Sequence, residues 1–147
     1  MSYGNTPAQA IHGLWAADPV LCGLIPADRF LTGRVPSSQQ TPYCRLELRG
    51  GSETLRSNGS LYQKLSIVFH VWTDTFDQGD AIAPQIRRVF ANQEFDWGSG
   101  GVLDCRTQGW PGTEQTKLPE IKAWETVVTF AANTWDSRLD NASSSGS

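Results

Sequence analysis

The sequence predicts an α+β fold, an antiparallel sheet of about four strands with two main helices packed on one of its faces. Three observations predict it. Four stretches carry the alternation or the β-branched and aromatic content of strands, two others repeat apolar residues at helical spacing behind a capping signal, and the helical stretches fall outside the strand-rich blocks. The chain has 147 residues, which fits one domain, and a chain of that size buries roughly 68–70% of its unfolded surface. The domain is expected to span residues 1–139, with 140–147 as a flexible Ser-rich tail.

The first helix opens at Thr6-Pro7, where a hydroxyl caps free amides and proline occupies the first helical position. Ile11, Leu14, Trp15 and Asp18 then fall at i, i+3, i+4 and i+7, a stripe of the width that packs on a sheet. Asp18-Pro19 repeats the signal, so a break and a short second turn carrying Val20, Leu21, Leu24 and Ile25 follow. Pro26 to Pro42 reads as a connector, with Phe30-Leu31 as a short edge strand and Ser37 to Thr41 as a polar link. From Tyr43 to Arg49, Cys44, Leu46 and Leu48 alternate with Arg45, Glu47 and Arg49, a strand with one wet face. Gly50 to Ser60 is polar and holds the turn dipeptide Asn58-Gly59, so it reads as a hairpin tip. The return arm, Leu61 to Trp72, is the strongest strand. Leu65, Ile67, Phe69 and Val71 share one face; Lys64, Ser66, Val68, His70 and Trp72 share the other, which is only half polar.

Thr75 to Gln78 has the capping-box form, and Ile82, Ile86, Val89 and Phe90 continue it as a helix to about Asn92. Pro84 either kinks that helix or lies in its first turn. A Gly-rich loop, Gln93 to Gly101, precedes a shorter strand from Val102 to Trp110; Pro111 to Pro119 is a link. The last strand, Ile121 to Thr134, is long enough to be central, and its β-branched and aromatic residues suit a sheet.

Composition excludes several functions. No run of eighteen apolar residues marks a membrane helix, and MSYGNTPAQA lacks the regions of a signal peptide, so the chain is expected to start in a cytoplasm. The sequons at Asn58 and Asn141 then read as turns. Cys22, Cys44 and Cys105 are odd in number and without a C-x-x-C pair, so they read as small buried apolar residues rather than disulfides or zinc ligands. A net charge of −3 with three Lys lacks the basic stripe of a nucleic-acid grip. Two His, no G-x-S-x-G and no phosphate loop leave no hydrolase or nucleotide motif. His12 reads as a flank residue and His70 as packed or hydrogen-bonded in its strand. The carboxylates Asp74, Asp77, Asp80, Glu94, Asp96, Asp104, Glu114 and Glu120 are scattered over caps, loops and exposed faces. No enzyme, cofactor or metal is expected. The alternating charge of Arg45, Glu47 and Arg49, continued by Arg56, fits either a solvated face or a subunit contact built on Arg forks.

In this order of elements the sequence resembles the tail terminator, or tail-completion, proteins of long-tailed bacteriophages, similar to the lambda tail terminator. The residues that carry the likeness are Ala16-Ala17-Asp18-Pro19-Val20-Leu21 after the first helix, Thr41-Pro42-Tyr43 opening a strand, an Arg-rich strand end before a variable hairpin, Phe69-His70-Val71-Trp72-Thr73 closing the long strand, a helix after Thr75, and a last strand ending at Trp135. They span about residues 7–135. Pro84 and the extended segment from Gln93 to Pro119 depart from the family's usual pattern.

The resemblance implies a ring-forming structural subunit, commonly a hexamer, at the head-proximal end of the tail tube. It would end tube growth and offer the surface to which the head attaches, in the virion and, during assembly, the host cytoplasm. Its partners would be itself, the tail-tube protein and a head-completion or neck protein, with genomic DNA passing through the lumen unread and no membrane involved. Arg45, Glu47, Arg49, Arg56, Asn58 and Trp110 are the expected interface residues. The long loops Gly50–Ser60 and Gln93–Gly101 are expected to meet neighbouring subunits or the tube, and the Ser-rich tail an adjacent ring. A stopper, adaptor or tube subunit of the same neck is the nearer alternative. A small-ligand binding domain or enzyme walled by Trp72, Trp110 and Trp124 is the distant one.

Overall fold

The computed structural model describes residues 6–36, 38–57, 60–98, 100–107, 113–118 and 123–136. Helix α1 (Pro7–Ala17) is capped by Thr6, whose hydroxyl accepts from the Gln9 N–H at 3.2 Å. Asp18 ends it and at once caps α2 (Pro19–Leu24), accepting from the Leu21 N–H at 2.9 Å. The same carboxylate takes the Gln85 amide at 2.9 Å, which ties α2 to α3 (Phe76–Phe90). A 3₁₀ turn, Ala27–Arg29, leads into β1 (Phe30–Thr32). The long strands are β2 (Tyr43–Ser57), β3 (Ser60–Thr73) and β7 (Ala123–Asp136); the shorter ones are β4 (Phe95–Asp96), β5 (Gly100–Thr107) and β6 (Thr113–Leu118).

These strands form one sheet in the order β1-β2-β3-β7-β5-β4, with β6 also on β7. Along the edge of β7 away from β3, β6 pairs residues 123–128 and β5 pairs residues 130–136, so two short strands share one long one. The fold is α+β as predicted, but among the described residues the sheet has seven strands where about four were expected. β1 is parallel to β2, so the sheet is not wholly antiparallel. β2 does not stop at Arg49. It runs to Ser57 with a register shift between Gly50 and Thr54, and the expected polar tip Gly50–Ser60 is mostly hairpin ladder. A bulge there adds residues that break the period-2 pattern, which is why alternation alone ended the strand early. The loop expected from Gln93 to Gly101 contains β4 and the start of β5, and the expected link Pro111–Pro119 contains β6. The strand expected from Val102 to Trp110 starts two residues earlier, in Gly100–Thr107, with residues 108–110 outside the described residues; the strand expected from Ile121 to Thr134 is Ala123–Asp136, running two residues further, with residues 121–122 outside the described residues.

The capping box of α3 is formed: the Thr75 hydroxyl accepts from the Gln78 N–H at 3.2 Å, and the Gln78 side chain accepts from the Thr75 N–H at 3.3 Å. Pro84 lies well inside this helix, not in its first turn, and faces solvent. There it costs one intrahelical bond, to the Asp80 carbonyl. Asn92, just beyond the helix, has φ 61°, a conformation Asn tolerates better than most residues.

The core lies between the helices and one face of the sheet. Ile11 and Trp15 of α1 and Ile82, Ile86 and Phe90 of α3 bury together with Leu46, Ile67, Phe69, Val71, Val128 and Phe130. Rings dominate it. Phe69 lies 4.8 Å from Phe90 and edge-on to Phe130 at 5.8 Å, while Trp15 meets Phe30 at 4.3 Å. The Trp15 indole N–H donates to the Ile25 carbonyl at 3.0 Å, so its one polar atom is satisfied in the interior. Most of the aromatic surplus among the described residues is therefore core.

Candidate assembly interface

Alternation along β2, β3 and β7 leaves a second face turned away from the helices. It carries Tyr43, Arg45, Glu47 and Arg49 of β2, Ser66, Val68, His70 and Trp72 of β3, and Glu125, Val127 and Thr129 of β7. Register sets its cross-strand rows: Tyr43 opposite Trp72 and Glu125, Arg45 opposite His70 and Val127, Glu47 opposite Val68 and Thr129. Val68 is buried on this face although it belongs to no helix-packed core, because its long neighbours close over it.

Polar contacts on this face centre on Glu47. Its Oε2 accepts from Arg49 Nε at 2.7 Å, its Oε1 lies 2.7 Å from His70 Nε2, and Arg45 Nη2 stands 3.8 Å away. On the other side of the imidazole, Nδ1 lies 3.2 Å from Glu125 Oε2. The neutral ring donates to one carboxylate at a time, and the doubly protonated ring donates to both. These contacts run diagonally between adjacent strands and join β2, β3 and β7 across their outer face. The Arg49 and His70 hydrogen bonds hold the Glu47 carboxyl down at about 2, the Arg49 bond being the larger cause. Glu47 in turn raises the Arg49 guanidinium above its usual value. With both oxygens occupied, the Glu47 carboxylate acts as a fastener. Tyr43 and Trp72 stack beside it, centroids 6.1 Å apart.

Of the six expected interface residues, Arg45, Glu47 and Arg49 are brought together on this one face. Arg56 lies further along β2, opposite Leu61, its side chain outside the described residues, as are Asn58 and Trp110 altogether. His70 is hydrogen-bonded, as expected, with partners on the two strands that flank its own; that it and Glu125 complete the Glu47 cluster was not legible from single strands. His12 flanks the core stripe, contacting Thr32 Oγ1 at 2.5 Å and stacking on Phe30 at 4.3 Å; burial lowers its pKa. Trp72 and Trp124 point to opposite faces of the sheet, since Trp124 pairs with Thr73 and packs edge-on against Phe76 of α3. They cannot wall one pocket, which removes that basis for the ligand-binding alternative.

Cys44 and Cys105 are buried as expected, and burial raises both thiols, Cys105 to about 12; Cys22 is only half-buried and donates to the Trp15 carbonyl at 3.3 Å. Among the described residues no group of three His, Cys, Asp or Glu could hold a metal ion, and no helix is long and apolar enough to cross a membrane.

Among the described residues three large apolar side chains are exposed: Val20 on α2, Phe76 at the start of α3, and Leu103 on β5. Leu103 is the extra residue where β5 shifts register against β7, between Val102 and Asp104. Between α2, α3 and Pro42 runs a groove of about 400 Å³ lined by Gly23, Leu24, Pro42, Asp77, Gln78, Ala81 and Ile82.

The sequence matches no protein-family model and no curated protein. A chain from a solved structure described as the virion of a native gene transfer agent particle has the same fold. It superposes with a TM-score of 0.71 over 86% of this chain and 92% of that chain, at 15% identity.

Proposed function

We propose that the chain is a structural virion protein that forms a ring at the head-proximal end of a phage tail tube, ending tube polymerisation and presenting the head-joining surface. The observation that carries this reading is the fold it shares, over nearly the whole length of both chains, with a component of a virion particle. The terminator role comes from the resemblance in element order, from the Asp18-Pro19 break to the strand ending at Trp135. A sheet face turned away from the described helices, bearing paired charges and stacked rings, is suited to repeated contact with other subunits. In this reading the ring touches the tube protein on one side and a neck protein on the other, and DNA passes through without being read.

Imaging particles assembled without this chain tests the role. A terminator's loss gives tails longer than normal. DNA-leaking heads with tails of normal length would instead assign it to the stopper or adaptor position, and absence of tails to the tube itself.

A further inference from the structure

We infer that the exposed Leu103 of one copy docks in the α2/α3 groove of the next, with Arg106 set against the acidic rim of that groove; this deepens the ring reading and rests on it. Leu103 is 46% exposed on a strand bulge, a position that pushes one apolar side chain out of the sheet. The groove offers it Leu24, Pro42, Ala81 and Ile82, and Val20, one turn before Gly23 and Leu24 on α2, is itself 49% exposed.

Charge selects the same partners. Asp77 lines the groove, and the exposed Asp74, which accepts from Thr41 beside Pro42, adds to its negative charge, whereas three residues from Leu103 the Arg106 side chain is 77% exposed, with a 3.9 Å contact to Asp104. A second groove, lined by Leu14, Ala17, Asp18, Arg88, Val89 and Gln93, fits worse. There Arg88 would repel Arg106, and the Asp18 carboxylate is already occupied by Leu21 and Gln85. Knob and groove also lie apart on one molecule. Pro42 adjoins the row that ends at Glu125, while Leu103 sits between the rows of Asn133 and Thr134, eight to nine residues along β7 or roughly 28 Å. Each copy can therefore give its knob to one neighbour and its groove to another, the head-to-tail contact from which a ring closes.

Sedimentation and cysteine cross-linking of the full chain test this. Where the wild-type chain associates, Leu103→Asp should weaken association by about tenfold or more. Arg106→Glu should weaken it too, and combination with Asp77→Arg should recover it. In a Cys22→Ser background, mixing Ala81→Cys with Leu103→Cys should give disulfide-linked dimers that neither variant gives alone. A wild-type ring that Leu103→Asp leaves intact, with no mixed disulfide, overturns the knob-and-groove contact and leaves the ring reading standing. A wild-type chain monomeric at all concentrations overturns both.

Discussion

Three cationic or ring nitrogens converge on the two oxygens of Glu47, which ties β2 to β3, and His70 carries the link on to Glu125 of β7, on the face turned away from the described helices. Its carboxyl is held at about 2, below the 4.5 of the unconstrained group. A carboxyl depressed on folding contributes stability that is present above its unfolded value and is lost as the folded state takes up the proton. That contribution should be complete above about pH 4.5 and disappear between there and about pH 2. Glu47→Gln should lower the melting midpoint at neutral pH and flatten the acid limb over that interval, which thermal melts from pH 7 to 2 would read. An acid limb unchanged in the variant would show that the carboxylate contributes nothing. Arg45, Glu47 and Arg49 were legible from alternation in a single strand. His70 and Glu125 were not, since placing them beside Glu47 takes the β2–β3 register and the β3–β7 pairing, neither of which a local pattern specifies.

Both long helices were legible at the level of elements because their signals are local: Thr6 and Thr75 cap, Gln78 completes a box, and apolar residues follow at 3.6-residue spacing. Thr75→Ala should destabilise the chain by about 1 kcal/mol, with less lost in the Gln78→Ala background, where the box is already half broken; chemical denaturation of the four proteins measures the coupling. The short edge strand at Phe30-Leu31 was legible as an apolar piece between prolines, and it is β1. The missed strands share a cause. β4 and β6 are short pieces stabilised by a long neighbour, and the far half of β2 lies past a bulge, so their residues carry no pattern of their own. β5 shows how tightly such a piece is held. A Cβ on Gly100 would stand 2.4 Å from the Trp135 carbonyl oxygen and 2.8 Å from Trp97 Nε1, so only glycine lets β5 approach β7 there. Gly100→Ala should cost roughly 2 kcal/mol or more, because backbone must move. Gly23, in α2 with nothing within 4 Å of such a Cβ, should respond oppositely. Gly23→Ala should stabilise by about 0.5–1 kcal/mol, and equal effects at the two sites would contradict the packing described.

For the whole molecule, asymmetry is the feature with consequences. One sheet face is filled by helices and rings; the other, bound by its own polar contacts, carries no helix among the described residues, and the exposed apolar side chains stand at separate places. A molecule that completes its burial only by assembling gains stability from mass action, because association stabilises the folded state and not the unfolded one. In the ring proposed above, the wild-type melting midpoint should rise with protein concentration. Each tenfold increase is worth about 1.4 kcal/mol once association is saturating, on the order of 3 °C for a chain of this size. Leu103→Asp should flatten that dependence while leaving the dilute midpoint nearly unchanged, since Leu103 is exposed in the single chain. Glu47→Gln should do the reverse, lowering the dilute midpoint while keeping the slope, because its contacts lie within one molecule. Calorimetry across a wide concentration range separates the two behaviours, and a wild-type midpoint independent of concentration would mean that the chain does not assemble by itself.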